Sequence, residues 1–212
     1  MAKSRKRPAA RPGMRPRLVL LGGALAVALI SGGLLLDHWI VRPVAGSAPA
    51  TLAIGGPFTL LDQDGKTVTD ADFRGHWLLV YFGYTHCPDA CPTALNDISD
   101  ALEQLPAEQR SKIRTLFITV DPERDTPHAM KEYAAAFPGG NVVGLTGSPD
   151  QVKAAESAYH VYASKHADPA GDYAMDHSSI IYVMDPNGRF VANFTHETAP
   201  EQIAGKLRAL VS

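Results

Sequence analysis

Tyr81-Phe82-Gly83-Tyr84-Thr85-His86-Cys87-Pro88-Asp89-Ala90-Cys91-Pro92 holds the only two cysteines of a 212-residue chain. A disulfide between them would close a loop of about five residues, for which chain entropy supplies roughly 2 kcal/mol, well short of what a long bridged loop gives. A structural staple is therefore the weaker reading, and the pair either cycles between dithiol and disulfide or binds a soft metal. Proline follows each cysteine and pushes it away from helical backbone, so the expectation is a turn leading into a helix that begins near Pro92. The free N–H groups and positive dipole end of that helix favour thiolate.

Outward from the pair, the apolar run Trp77 to Tyr84 reads as a buried strand, followed by a helix from about Pro92 to Gln104. Upstream, Asp62-Gln63-Asp64-Gly65 signals a hairpin between Phe58–Leu61 and Thr67–Thr69. Downstream come a strand at Arg114–Val120, a helix opened by Thr126-Pro127 and running to Phe137, and a short strand at Val142–Leu145. A helix from Pro149 to Tyr159, a hairpin of Ser179–Met184 with Phe190–Phe194 across Asp185-Pro186-Asn187-Gly188, and a closing helix Pro200–Leu210 complete the series. This alternation predicts an α/β fold, a central mixed sheet flanked by helices. A cysteine pair placed after the first long strand and opening the next helix is the thioredoxin-like layout.

Residues 18–36 (LVLLGGALAVALISGGLLL) carry no charge. At ~1.5 Å per residue they span roughly the ~30 Å hydrocarbon core. Seven cations and no acid occupy residues 1–17, which by the positive-inside rule stay in the cytoplasm. The expected organisation is a basic tail (1–17), a transmembrane anchor (18–40), a linker (41–50) and a thioredoxin-like domain (51–212). A cleavable signal peptide and a mitochondrial targeting sequence are the alternatives. Without the seven tail cations, 13 Lys and Arg face 22 Asp and Glu. That acidic balance argues against nucleic acid as a partner.

Three segments, FGYTHCPDACPTAL (82–95), DPERDTP (121–127) and DHSSIIYVMDPNGRF (176–190), together resemble the Sco (SenC/PrrC) family across the whole predicted domain. The resemblance implies a membrane-anchored thioredoxin-like protein that binds copper through two cysteines and one histidine. It implies assistance in assembling the copper centre of cytochrome c oxidase, with an oxidase subunit, an assembly factor or another copper chaperone as partner. Carried over, the ligands are Cys87, Cys91 and His177. Two thiolates and an imidazole suit Cu(I), with Cu(II) as the alternative state. Zinc would need a fourth ligand, from water, Asp121 or Asp125. The implied location is the bacterial inner membrane with the domain in the periplasm, or else the mitochondrial inner membrane facing the intermembrane space.

Other residues carry two readings each. Asp176 either orients the His177 ring or is merely exposed. His86 is the fallback ligand, although neighbours in extended chain point opposite ways. Asp125 and Asp121 either serve the helix start, with Thr126 as N-cap and Pro127 at the first position, or neighbour the metal site and dock a partner. A thiol-disulfide reductase, with Cys87 attacking and Cys91 resolving, is the enzymatic alternative to a metallochaperone. A peroxidase fits poorly, because Thr85 stands two rather than three residues before Cys87.

Overall fold

Apolar alternation and turn chemistry set the framework of the computed structural model, which describes residues 53–167 and 173–211. Its main elements are β1 (Thr59–Asp62), β2 (Thr67–Thr69), β3 (Trp77–Gly83), α1 (Ala90–Glu103), α2 (Ala107–Ser111), β4 (Ile113–Thr119) and α3 (Pro127–Ala135). There follow β5 (Val142–Thr146), α4 (Pro149–Ala158), β6 (Ala163–Ala167), β7 (Tyr173–His177), β8 (Ile180–Met184), β9 (Phe190–Thr195) and α5 (Pro200–Leu210). The seven-stranded sheet has the order β2-β1-β5-β4-β3-β8-β9. Strands β3, β4 and β5 run parallel, and every other pairing is antiparallel. The expected α/β fold with a central mixed sheet is therefore present. The expected tail, anchor and linker lie outside the described residues, among which no helix is long and apolar enough to cross a membrane.

The β3 strand is buried from Leu78 to Gly83, as a central parallel strand covered on both faces must be. Successive side chains point to opposite faces. Tyr81 stacks on Phe117, which in turn stacks on Tyr133 of α3. Phe82, one residue on, meets Tyr159 beyond α4 and Tyr182 of β8. Helices thus flank both faces. Along α1 the buried positions Cys91, Ala94, Leu95, Ile98, Ala101 and Leu102 repeat at helical spacing, so the first of them, Cys91, is drawn into the core.

Two differences from expectation bear on function. Helix α1 begins at Ala90 rather than near Pro92, so Cys91 lies inside its first turn. Pro92 is accommodated there because first-turn N–H groups have no intrahelical acceptor to lose. The second difference is a separate two-stranded hairpin, β6 with β7, pairing Ala163 with His177 and Ala167 with Tyr173. His177 is the last residue of β7 rather than part of the lead-in to β8.

Candidate metal centre

The carboxyl ends of the parallel strands β3 and β4 open onto two loops, and ligands of α/β sheets gather at such edges. The loop after β3 carries Cys87, whose backbone N–H donates to the Tyr84 carbonyl at 3.2 Å. The loop after β4 carries Asp121 and Asp125, and the end of β7 brings His177. One sulfur from each cysteine and one ring nitrogen of His177 lie within 4.8 Å of one another. Cys87 is half-buried, Cys91 fully buried, and both are free thiols. Among the described residues no other group of histidine, cysteine and carboxylate side chains gathers in this way.

Helix geometry holds the sulfurs together. The Cys91 backbone N–H, a first-turn donor without a helical partner, donates to Cys87 Sγ at 3.4 Å. The sulfur therefore stands where a capping oxygen would, at the positive end of the helix dipole. Gly83 supplies the room: a Cβ there would lie 2.7 Å from both Cys91 Sγ and the Phe117 ring. His177 Nε2 lies 3.5 Å from Cys91 Sγ, and Nδ1 lies 3.3 Å from the Ser178 carbonyl oxygen. A carbonyl only accepts, so this contact places a proton on Nδ1 and turns Nε2 toward the cysteines. Tyr81 and Tyr84 meet the imidazole edge to face, with centroids 6.1 and 5.9 Å away, and hold its plane.

The two thiols titrate as one coupled pair. The Cys91 hydrogen bond, aided by His177 and by the N–H groups of Asp89 and Cys91, lowers the Cys87 pKa to about 3 against the opposing effect of burial. The same hydrogen bond to Cys87, with burial and the charge of Cys87, pushes Cys91 far up. One thiolate, Cys87, and one retained proton, on Cys91, are the result. Alkylation by iodoacetamide should therefore stay nearly flat at Cys87 between about pH 5 and pH 8, where an ordinary thiol of pKa ~8.5 slows roughly tenfold per unit of acidification. Cys91 should stay unmodified in the folded chain. Peptide mass spectrometry reads both, and a tenfold-per-unit slope at Cys87 would contradict this division of charge.

The remaining candidates fall outside the donor trio. Asp125 is fully buried; it accepts from the Thr85 hydroxyl at 2.6 Å, the Thr85 N–H at 3.0 Å and the Thr119 hydroxyl at 2.6 Å. It ties the cysteine loop to the end of β4, while Thr126 alone caps α3, accepting from the Ala129 N–H at 3.3 Å. Asp121 accepts from the Tyr173 hydroxyl at 2.8 Å and from Arg124 Nε at 2.5 Å. Arg124 also donates to the Tyr173 carbonyl and covers the Tyr173 ring at 3.6 Å. Both carboxylates are thus committed to bracing. Asp176 points away from the site, 3.2 Å from His166 Nδ1 and largely exposed, so the partner of the His177 ring is the Ser178 carbonyl instead. His86 is half-exposed and bonded to the Thr85 hydroxyl at 3.0 Å.

The SCO1/SenC family profile matches residues 46–212. The chain belongs to the SCO1/SenC family. Among its relatives, the mitochondrial protein SCO2 of Saccharomyces cerevisiae is 39% identical over 173 residues, 79% of this chain and 57% of that protein. The chain thus spans little more than half of that relative's length. The copper-bound structure of Bradyrhizobium japonicum ScoI matches with a TM-score of 0.68 and 47% identity, covering 74% of this chain and 99% of that one. BsSco, a member of the Sco family of cytochrome c oxidase assembly proteins in which a disulfide switch has been identified, matches with a TM-score of 0.58 and 28% identity, covering 74% and 92% of the two chains. The thioredoxin-like fold of the SCO1/SenC family accounts for the sheet described above.

Sequence reasoning passed over three contributors to the centre. Gly83 gave only a local signal, a glycine closing an apolar strand, which does mark close approach. Tyr173 and Arg124 act through a hairpin whose strands lack apolar alternation. Of these, only Gly83 was open to inference from its neighbours in sequence.

Proposed function

We propose that the chain is a copper metallochaperone, binding one Cu(I) through Cys87 Sγ, Cys91 Sγ and His177 Nε2 and passing it to an assembling cytochrome c oxidase. The observation that carries this reading is the convergence of the three donors, two of them sulfur, at a partly buried position. Two thiolates and an imidazole are a soft set matched to Cu(I), and the loaded centre would carry a net charge of −1. Cu(II) would use the same donors with an added oxygen ligand. The copper carried by the Bradyrhizobium relative supports the choice of metal, and the membership of BsSco in a family of cytochrome c oxidase assembly proteins supports the choice of recipient.

The recipient is an oxidase subunit or an assembly factor, with another copper chaperone as the source or relay of the metal. Residues 18–40 anchor the chain in the bacterial inner membrane, with the domain on the periplasmic side. The alternative is the mitochondrial inner membrane, a location in keeping with the name of the yeast relative. The reductase reading needs only the dithiol, and of His177 only its help in keeping Cys87 ionised.

Anaerobic titration of the reduced full-length chain with Cu(I) against a chromogenic competitor tests the proposal. The expected result is one tightly held equivalent, absent from the Cys87→Ser, Cys91→Ser double variant. Loading must expel the proton that Cys91 retains, so apparent affinity should rise with pH and fall in acid. Weak binding that ignores both cysteines and pH would overturn the reading.

A further inference from the structure

The β6–β7 hairpin that delivers His177 stands apart from the seven-stranded sheet; among the described residues its strands pair only with each other. A segment so weakly joined to its domain opens easily unless other contacts fix it. At the base of the hairpin, the Ser178 N–H donates to the Tyr162 carbonyl at 3.0 Å and the Tyr162 N–H to the Ser178 hydroxyl at 3.1 Å. Further along β7 the fixing comes from Arg124, on the loop after β4. Its Nε pairs with the buried Asp121 carboxylate, its Nη1 donates to the Tyr173 carbonyl at 3.1 Å, and its guanidinium covers the Tyr173 ring at 3.6 Å. The Tyr173 hydroxyl closes this circuit by donating to Asp121 Oδ1 at 2.8 Å. The same guanidinium lies 5.9 Å from the centroid of Tyr84, within cation–π reach, and Tyr84 meets the His177 ring edge to face.

We propose that Arg124 is a positioning residue for His177, acting by two routes. Along the strand, Tyr173, Met175 and His177 alternate onto one face of β7. Fixing Tyr173 therefore fixes the direction in which the His177 side chain leaves the backbone. Across the site, the Tyr84 ring, held on one side by the cation, limits the tilt of the imidazole. Neither route has Arg124 touch the metal. Pairing with Asp121 alone would be served by any cation. A carbonyl and two aromatic rings at once require a planar fork with several donors, which lysine lacks. This inference rests on the copper-binding reading above.

Arg124→Lys keeps a cation beside Asp121 without the fork, and Tyr173→Ala removes the ring on which the guanidinium lies. Each should lower Cu(I) affinity about tenfold, the lower end of what losing a group that orients a metal ligand costs. In a His177→Ala chain neither substitution should lower affinity further, because the ligand that Arg124 places is gone. A merely structural contribution would lower affinity by the same factor with or without His177. The metal-free chain gives a second readout. Its His177 ring-proton signals in NMR, displaced by the neighbouring Tyr81 and Tyr84 rings, should move in both variants toward those of an unstructured histidine.

Unmoved His177 signals in Arg124→Lys would overturn the inference, as would equal losses of affinity in the two backgrounds. Collapse of the fold in Arg124→Lys would overturn it too, since the role would then be structural. If Tyr173→Ala does not fold, the Arg124→Lys comparison decides alone. Failure of the wild-type chain to hold copper is a different result: it removes the function, while the metal-free spectra still decide whether Arg124 places the ring.

Discussion

Replacing Asp125 with alanine is expected to lower folding stability by about 3–5 kcal/mol, a large share of the ~5–15 kcal/mol typical of a domain. Three donors converge on this buried carboxylate: the hydroxyl and N–H of Thr85 and the hydroxyl of Thr119. The two hydroxyls can rotate toward other acceptors, but the backbone N–H of Thr85 cannot. Each donor left unsatisfied costs about 1–3 kcal/mol, and the vacated volume adds to it. At ~2–4 °C per kcal/mol for a chain of this size, the melting temperature should drop by roughly 6–20 °C. Asparagine keeps the volume but must aim an NH2 group at one of the donors, so its effect should be intermediate. Urea denaturation of wild-type, Asp125→Ala and Asp125→Asn chains checks the order. An unchanged midpoint for alanine would mean that the cost of burying the carboxylate cancels its three hydrogen bonds. Thr85 stands two residues before Cys87, so the loosened loop should also weaken Cu(I) binding, though less than loss of a ligand does.

Most of the sheet was legible because apolar runs and turn residues agreed. Asp185-Pro186-Asn187-Gly188 is an instance. Asp185 Oδ1 accepts from the N–H groups of Asn187 and Arg189, and Gly188 takes the positive φ of 72° that closes the β8–β9 hairpin. Helix α5 spans Pro200–Leu210 as its opening proline and apolar spacing indicate. The β6–β7 hairpin was not legible. Ala163-Ser164-Lys165-His166-Ala167 and Tyr173-Ala174-Met175-Asp176-His177 have neither apolar alternation nor high strand propensity. Their placement comes from long-range polar contacts: the Tyr173 ring lies between Arg124 and Lys165, and Lys165 pairs with Glu123 at 2.7 Å. No local window of sequence contains both halves of those contacts.

The same physics explains which parts of the centre could be read in advance. Cys87 and Cys91 share one loop and one helix start, so their convergence follows from local backbone geometry. His177 is 86 residues from Cys91, and only the likeness of DHSSIIYVMDPNGRF to a known motif singled it out among eight histidines. The early placement of the α1 boundary also has a tertiary cause. Proline after Cys91 disfavours helical backbone at that residue, but burial of Cys91 beside Gly83 and the N–H contact to Cys87 Sγ outweigh that preference.

Replacing His177 with alanine should reduce Cu(I) affinity by more than the roughly hundredfold associated with losing a residue that merely supports a ligand. The two sulfurs remain, so residual Cu(I) binding is expected, because two thiolates satisfy a soft ion that tolerates low coordination. Cu(II) has a stronger demand for nitrogen and for additional ligands, and its binding should fall further. The fold should survive. His177 ends a partly exposed hairpin strand, and its ring contributes edge contacts to Tyr81 and Tyr84 and one polar contact each to Cys91 Sγ and the Ser178 carbonyl. Methionine at 177 sharpens the test, since a thioether is soft but is neither basic nor a proton donor. His177→Met should recover part of the Cu(I) affinity and little of the Cu(II) affinity. If alanine and methionine weakened Cu(I) binding equally, the third donor would contribute by holding the hairpin rather than by touching the metal. Competition titrations of the three chains, each beside its melting curve without metal, separate coordination from hairpin anchoring.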